Sequence, residues 1–330
     1  MKTHWKFTCQ GLWKTTLTAL SGFLCVGGML TAQNFICDSN LELGVGYRVD
    51  NLKWSIAGGS NGPDIMSELE WRDIQSAELN LQYKAVALHT IYLRGNADVA
   101  FVFDGQNQDS DYAGNQRTLE YSRSLNTAEK GTLYDLSLGL GMQFSVLFNT
   151  FTLAPLLGYS FHSQHLTMTE GTQVVDTFSI PPRIGSFPGL DSAYTTHWYG
   201  PWIGLDFGCN VLGKLALEGY YEFHIVRYSA NGHWNLRTDF LDDFIHKSNG
   251  IGNVVFLKAQ YALTDNLSVG ISTRYQTWHA RPGLDRTYIK TEIANKLSGI
   301  FEKITGRSET RLNSVNWHAI TTSVLLAYHF

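Results

Sequence analysis

Residues 134–146 read YDLSLGLGMQFSV. Tyr134, Leu136, Leu138, Leu140, Met142 and Phe144 share one side of a two-residue repeat, and Asp135, Ser137, Gly139, Gly141 and Gln143 share the other. Successive side chains of a strand point to opposite faces, so this is a strand with one apolar and one polar face. HTIYLRGNADVAFV (89–102) repeats the pattern, with Ile91, Leu93, Ala97, Val99 and Phe101 opposed to Tyr92, Arg94, Asn96 and Asp98. So does LSVGISTRYQT (267–277), with Leu267, Val269, Ile271 and Tyr275 against Ser268, Ser272, Arg274 and Gln276. A soluble sandwich or barrel would bury the apolar face and show the charges to water. A membrane barrel turns the apolar face to lipid and the polar face to its lumen. Alternation alone leaves both open.

Connection lengths separate them. About ten strands are legible, near 40–57, 65–85, 88–103, 131–148, 151–170, 194–211, 214–230, 252–263, 267–281 and 315–330. Tight turns near 86–87, 149–150, 212–213 and 264–266 alternate with long connections near 58–64, 104–130, 171–193, 231–251 and 282–314. Short turns at one end and long loops at the other are the arrangement of bacterial outer-membrane barrels, whose strand number is even. Composition agrees: 16% charged residues, 13% aromatic residues and 31 glycines, with no apolar run in the body long enough for a membrane helix. The last strand, ending SVLLAYHF (323–330), puts Ile320, Val324, Leu326, Tyr328 and Phe330 on one face. The expected fold is all-β: a ten-stranded antiparallel transmembrane β-barrel with short periplasmic turns and long extracellular loops.

The N-terminus fits this address. Lys2, Lys6 and Lys14 precede an apolar stretch from Leu17 to Leu30 and the small-residue ending LTA, so residues 1–32 read as a signal peptide cleaved after Ala32. Residues 33–330 then form a single barrel domain in the cell outer membrane. Cys37 and Cys209 remain in it on distant strands, and two free thiols are expected. One connection carries its own pattern. In RTYIKTEIANKLSGIFEKITG (286–306), Ile289, Ile293, Leu297, Ile300 and Ile304 recur at helical spacing, which predicts an amphipathic helix in the last extracellular loop.

Two polar stretches fall at the loop end. QDSDY (108–112) follows the third strand and carries Asp109 and Asp111; NGHW (231–234) follows the seventh and carries Asn231 and His233. In a ring of about ten strands these lie nearly opposite across the mouth. Strict alternation along 214–230 would face Asn231 and His233 outward, and a bulge at Gly232 would be needed to turn them in.

These segments resemble the omptin family of outer-membrane endopeptidases. MSELEW (66–71) is similar to the family's Ser-x-Leu-x-Trp segment, QDSDY to its Asp-x-Asp-aromatic motif, and IGSFP (184–188) with PWIGL (201–205) to one of its loop-to-strand passages. NGHW stands where the family carries Asp-x-His-aromatic. The similarity is thin per residue but runs in order through nearly the whole mature chain. It extends to the omptin-like outer-membrane proteins of chlamydia-related bacteria, the Pom type, for which the implied role is that of a porin. The omptin resemblance implies a water held between an acidic pair, Asp109 and Asp111, and His233 as general base, acting on an extracellular peptide or protein. An imidazole suits that task near neutrality, and a carboxylate on its other nitrogen steadies the imidazolium.

Asn231 stands at the partner position and cannot supply that charge; in the serine-protease triad the same exchange costs about 10⁴ in turnover. Asp239, Asp242 and Asp243 are acids near enough in sequence to substitute. The resemblance also implies contact with outer-membrane lipid or lipopolysaccharide, although GYSFHS (158–163) lacks the acid and base expected beside its tyrosine. The expectation is therefore an omptin-like barrel with a degenerate protease-like site at Asp109, Asp111, Asn231 and His233, and weak or absent endopeptidase activity. The alternatives are a porin-like channel, against which a barrel this small argues, and a surface adhesin or structural barrel whose loops bind partners. No motif points to a cofactor or a metal, and a net charge of −4 offers nothing to nucleic acid.

Overall fold

The structure is a computed structural model that describes residues 36–146, 150–294 and 301–330, with backbone alone at 37, 291–294 and 301–305. The expected signal peptide at 1–32 lies outside the described residues. The elements are β1 (Ile36–Ile56), β2 (Ser67–Ala87), β3 (Ile91–Tyr112), β4 (Glu120–Thr127), β5 (Gly131–Met142), β6 (Phe144–Val146), β7 (Phe151–Asp176), β8 (Gly185–Ser186), β9 (Asp191–Leu212), β10 (Leu215–His233), β11 (Phe244–Ala262), β12 (Leu267–Ala280), β13 (Gly283–Ala294) and β14 (Phe301–His329). They form a ring of 10 antiparallel staves. Two staves are broken: β4 continues β5 between β3 and β7, and β13 continues β12 between β11 and β14. The ring closes where β14 pairs with β1, with Val45 opposite Val324.

The faces sort as the alternation requires. Leu136, Leu138 and Leu140 are exposed on the outside of β5, as are Leu79, Phe101, Leu157, Ile203, Ile225, Leu257, Ile271 and Val324 on other staves. That belt faces lipid. Inward, buried charges pair across the lumen. Arg48 contacts Asp50, Glu78 and Asp135; Arg274 contacts Glu78, Asp98 and Asp135; Arg94 contacts Asp206 and Glu222. Lys258 reaches Glu42 and Glu218, and Lys84 also reaches Glu218. His162 bonds Asp135 at 2.7 Å and His224 bonds Glu222 at 2.9 Å. Above this network lies an aromatic layer, in which Trp278 stacks on Trp317 at 5.4 Å and both approach Trp198 at 6.1 Å. Charges taken from water are tolerated only when so paired, and the pairs cross the lumen.

Two expectations are corrected. The connections 104–130 and 282–314 are largely strand, and 171–193 is strand at its two ends, to Asp176 and from Asp191: the staves rise beyond the lipid belt as paired hairpins before turning. The helix expected over 286–306 is a β-hairpin in its described part, with Ile289 opposite Gly306 and Lys290 opposite Thr305; residues 295–300 lie outside the described residues. A spacing of four residues fits a helix turn and also two strand repeats, and Thr287, Ile289, Thr291 and Ile293 are β-branched at every second position. Continuation of two existing staves decides for strand.

Candidate functional site at the extracellular mouth

A bulge brings the acidic pair inward. Below it, even-numbered residues face the lumen: Ser76 and Glu78 on β2, Arg94, Asp98 and Ala100 on β3. The β2–β3 register then shifts between Arg72 and Gln75, and Asp73 takes a left-handed backbone with φ 52°. Gly105 is required opposite, since a Cβ there would lie 2.4 Å from the Ile74 side chain. Above the shift odd-numbered residues face in, with Leu69 opposite Asp109, Trp71 opposite Asn107, and Ser67 opposite Asp111. One extra residue reverses every side chain beyond it.

Asp109 and Asp111 therefore meet in a shielded setting. Asp109 Oδ1 is fully buried and has no hydrogen-bond partner among the described residues. Burial, and then the Asp111 carboxylate, push the Asp109 carboxyl well above the usual carboxylate range, against the pull of Arg237 and the nearby Trp234 indole. Burial also raises Asp111, opposed by the nearby Ser67 hydroxyl and by Arg237. Tyr121, at the rim, is pushed up to about 12 by burial and by the same two acids. Two carboxyls in this state hold a proton more readily than free ones do, and the facing group is a guanidinium rather than an imidazole.

Across the mouth, β10 runs to His233 with no irregularity above Ala216. Gly232 faces inward and leaves room for Phe244, whose ring a Cβ would meet at 2.0 Å. The glycine serves a close approach and not a bulge. Asn231 and His233 consequently face outward, both exposed. His233 Nδ1 lies 2.9 Å from Asp243 Oδ1, so one of the three nearby acids does partner it, on the outer rim. The next residues turn in. Trp234 packs on Phe244 at 4.6 Å and approaches Trp54 and Tyr194 at 6.5 Å. Arg237 bonds Asp239 and lies over the Phe240 ring at 4.2 Å.

Beneath Trp234 is a second buried group that sequence reading missed. Tyr194 stacks on Trp71 at 5.3 Å, and its hydroxyl shares hydrogen bonds with Tyr228 at 2.6 Å and His246 Nδ1 at 2.7 Å. His246 Nε2 is 3.2 Å from Asp285, which accepts a hydrogen bond from Thr310. Burial holds the His246 imidazole below its ordinary value, against the pull of Asp285. Inward parity on β11 would have flagged His246; Asp285 was hidden in the long connection 282–314, just before the segment expected to be helical. Trp234 closes the NGHW segment and Arg237 follows it, neither with a signal that singled it out.

The family described as Protochlamydia outer membrane protein, Pom, matches residues 42–330. The chain belongs to the Pom family. A comparison of this Pom sequence with curated proteins finds no match. Among solved structures, the outer membrane protease OmpT of Escherichia coli is similar at TM-score 0.72 and 15% identity, covering 89% of this chain and 97% of OmpT. The translocator domain of the autotransporter NalP from Neisseria meningitidis aligns at TM-score 0.34 and 11% identity, over 88% of each chain. At this identity the likeness to OmpT shows the fold alone. The Pom chain is an outer-membrane β-barrel of the omptin-like type.

Proposed function

We propose that this Pom barrel is a surface protein with a degenerate protease-like site at its mouth, and that its endopeptidase activity is weak or absent. The observation that carries the reading is what faces the acidic pair: Trp234 and Arg237 approach Asp109 and Asp111, while His233 is turned outward onto Asp243. Water attack on a peptide carbonyl needs a base within hydrogen-bond reach of that water. An imidazole on the outer rim cannot share a water with carboxyls on the inner wall. A signal peptide at 1–32, a mature barrel from 33, and contact with outer-membrane lipid or lipopolysaccharide belong to the same reading.

The test is peptide cleavage by the folded chain in lipid, with and without lipopolysaccharide, against a library of extended peptides. Turnover at the level of the lipid blank is expected, unchanged in Asn231→Asp because that side chain faces out. Site-specific cleavage abolished by both Asp109→Ala and His233→Ala would sink the reading.

A further inference from the structure

The lumen network described above sets eight carboxylates against five lysines and arginines. With the imidazoles of His162 and His224 both protonated on their carboxylate partners, one negative charge is still left over. An unbalanced charge is costly where side chains are buried this deeply. The surplus sits beside a cavity of about 30 Å³ inside the barrel. Its wall carries Glu42, Glu78 and Asp98 against one basic side chain, Arg274. Gln82, 8% exposed, also lines it. The Gln82 amide nitrogen is spent on Asn96 at 2.7 Å, and Gln82 Oε1 has no partner among the described residues.

Size and charge define the ligand. The space takes more than one water-sized group, so it admits a small ion with part of its water shell. Among the described residues no group of three or more His, Cys, Asp or Glu is disposed to hold a metal ion, which disfavours a divalent cation that needs several close carboxylates. We propose that this cavity binds one monovalent cation of the sodium or potassium class, with Gln82 Oε1 as a neutral ligand and the surrounding carboxylates as its counter-charge. The site lies in the lumen and does not depend on how the mouth is read.

The experiment is thermal unfolding of the full folded chain in detergent, at one pH and ionic strength, in sodium, potassium or N-methylglucamine chloride. A higher midpoint in sodium or potassium, saturating with concentration and lost in Gln82→Leu, is expected. Equal midpoints in all three salts would overturn the site and leave only a proton or water in the cavity. A sodium effect that survives in Gln82→Leu would equally overturn it, because the ion would then act elsewhere. If Gln82→Leu does not fold, sodium-23 relaxation on the wild-type barrel decides: broadening relieved by potassium supports the site, and none refutes it.

Discussion

At the scale of single residues, the mouth is governed by carboxyls held away from water. The Asp109 carboxyl is raised in the folded barrel, so its protonated form is the one the fold favours. Its contribution therefore runs against stability above the ordinary carboxylate range and vanishes below it. Asp109→Asn should stabilise the barrel at pH 8 by on the order of 1 kcal/mol, with the gain fading towards pH 4. Urea unfolding at the two pH values measures this. Gly232 gives a second prediction. A methyl group there meets the Phe244 ring, so Gly232→Ala should cost about 1–3 kcal/mol through overpacking, read as a lower thermal midpoint. His233→Ala, at an exposed position, should stay within about 0.5 kcal/mol of wild type in the same measurement.

At the scale of elements, the segment 234–243 is held by its neighbour hairpin. Leu241 N–H donates to Tyr288 O and Lys290 N–H donates to Asp239 O, each at 2.8 Å, and Phe240 bridges Ile289. The strap thereby keeps Trp234 and Arg237 over the acidic pair. Lys290→Pro removes one of these donors at the edge of β13 while leaving the stave in place. Loss of about 1 kcal/mol of local protection is expected, seen as faster amide exchange at 234–243 with little change in β1 or β2. Sequence reading could not see this strap. The isoleucines it paired at helical spacing are compatible with either repeat, and only the register of β11 and β14 selects the strand.

At the scale of the whole molecule, buried ion pairs cross the lumen of the barrel. Arg274 meets Glu78, Asp98 and Asp135. Glu78 and Asp135 keep Arg48, but removing Arg274 leaves the buried Asp98 carboxylate with no basic partner among the described residues, and Arg274→Ala should cost about 3–5 kcal/mol in urea unfolding from lipid. The same ion pairs argue against a wide pore. Liposomes carrying the intact barrel should not swell in sugar solutions.

What the sequence by itself determined is the sidedness of the chain. A strict two-residue repeat, apolar on one face and charged on the other, with tight turns alternating with long connections, specifies a lipid-facing barrel. Those signals are local, so the class and the turn positions were legible, as was the placing of QDSDY at the mouth. What only the tertiary structure decided is which side chains meet there. The β2–β3 bulge turns Asp109 and Asp111 inward; an unbroken β10 turns Asn231 and His233 outward; and Trp234 and Arg237 come over the acids. Each outcome hangs on a one-residue choice of register, and register is set by pairing with a neighbouring strand far away in sequence.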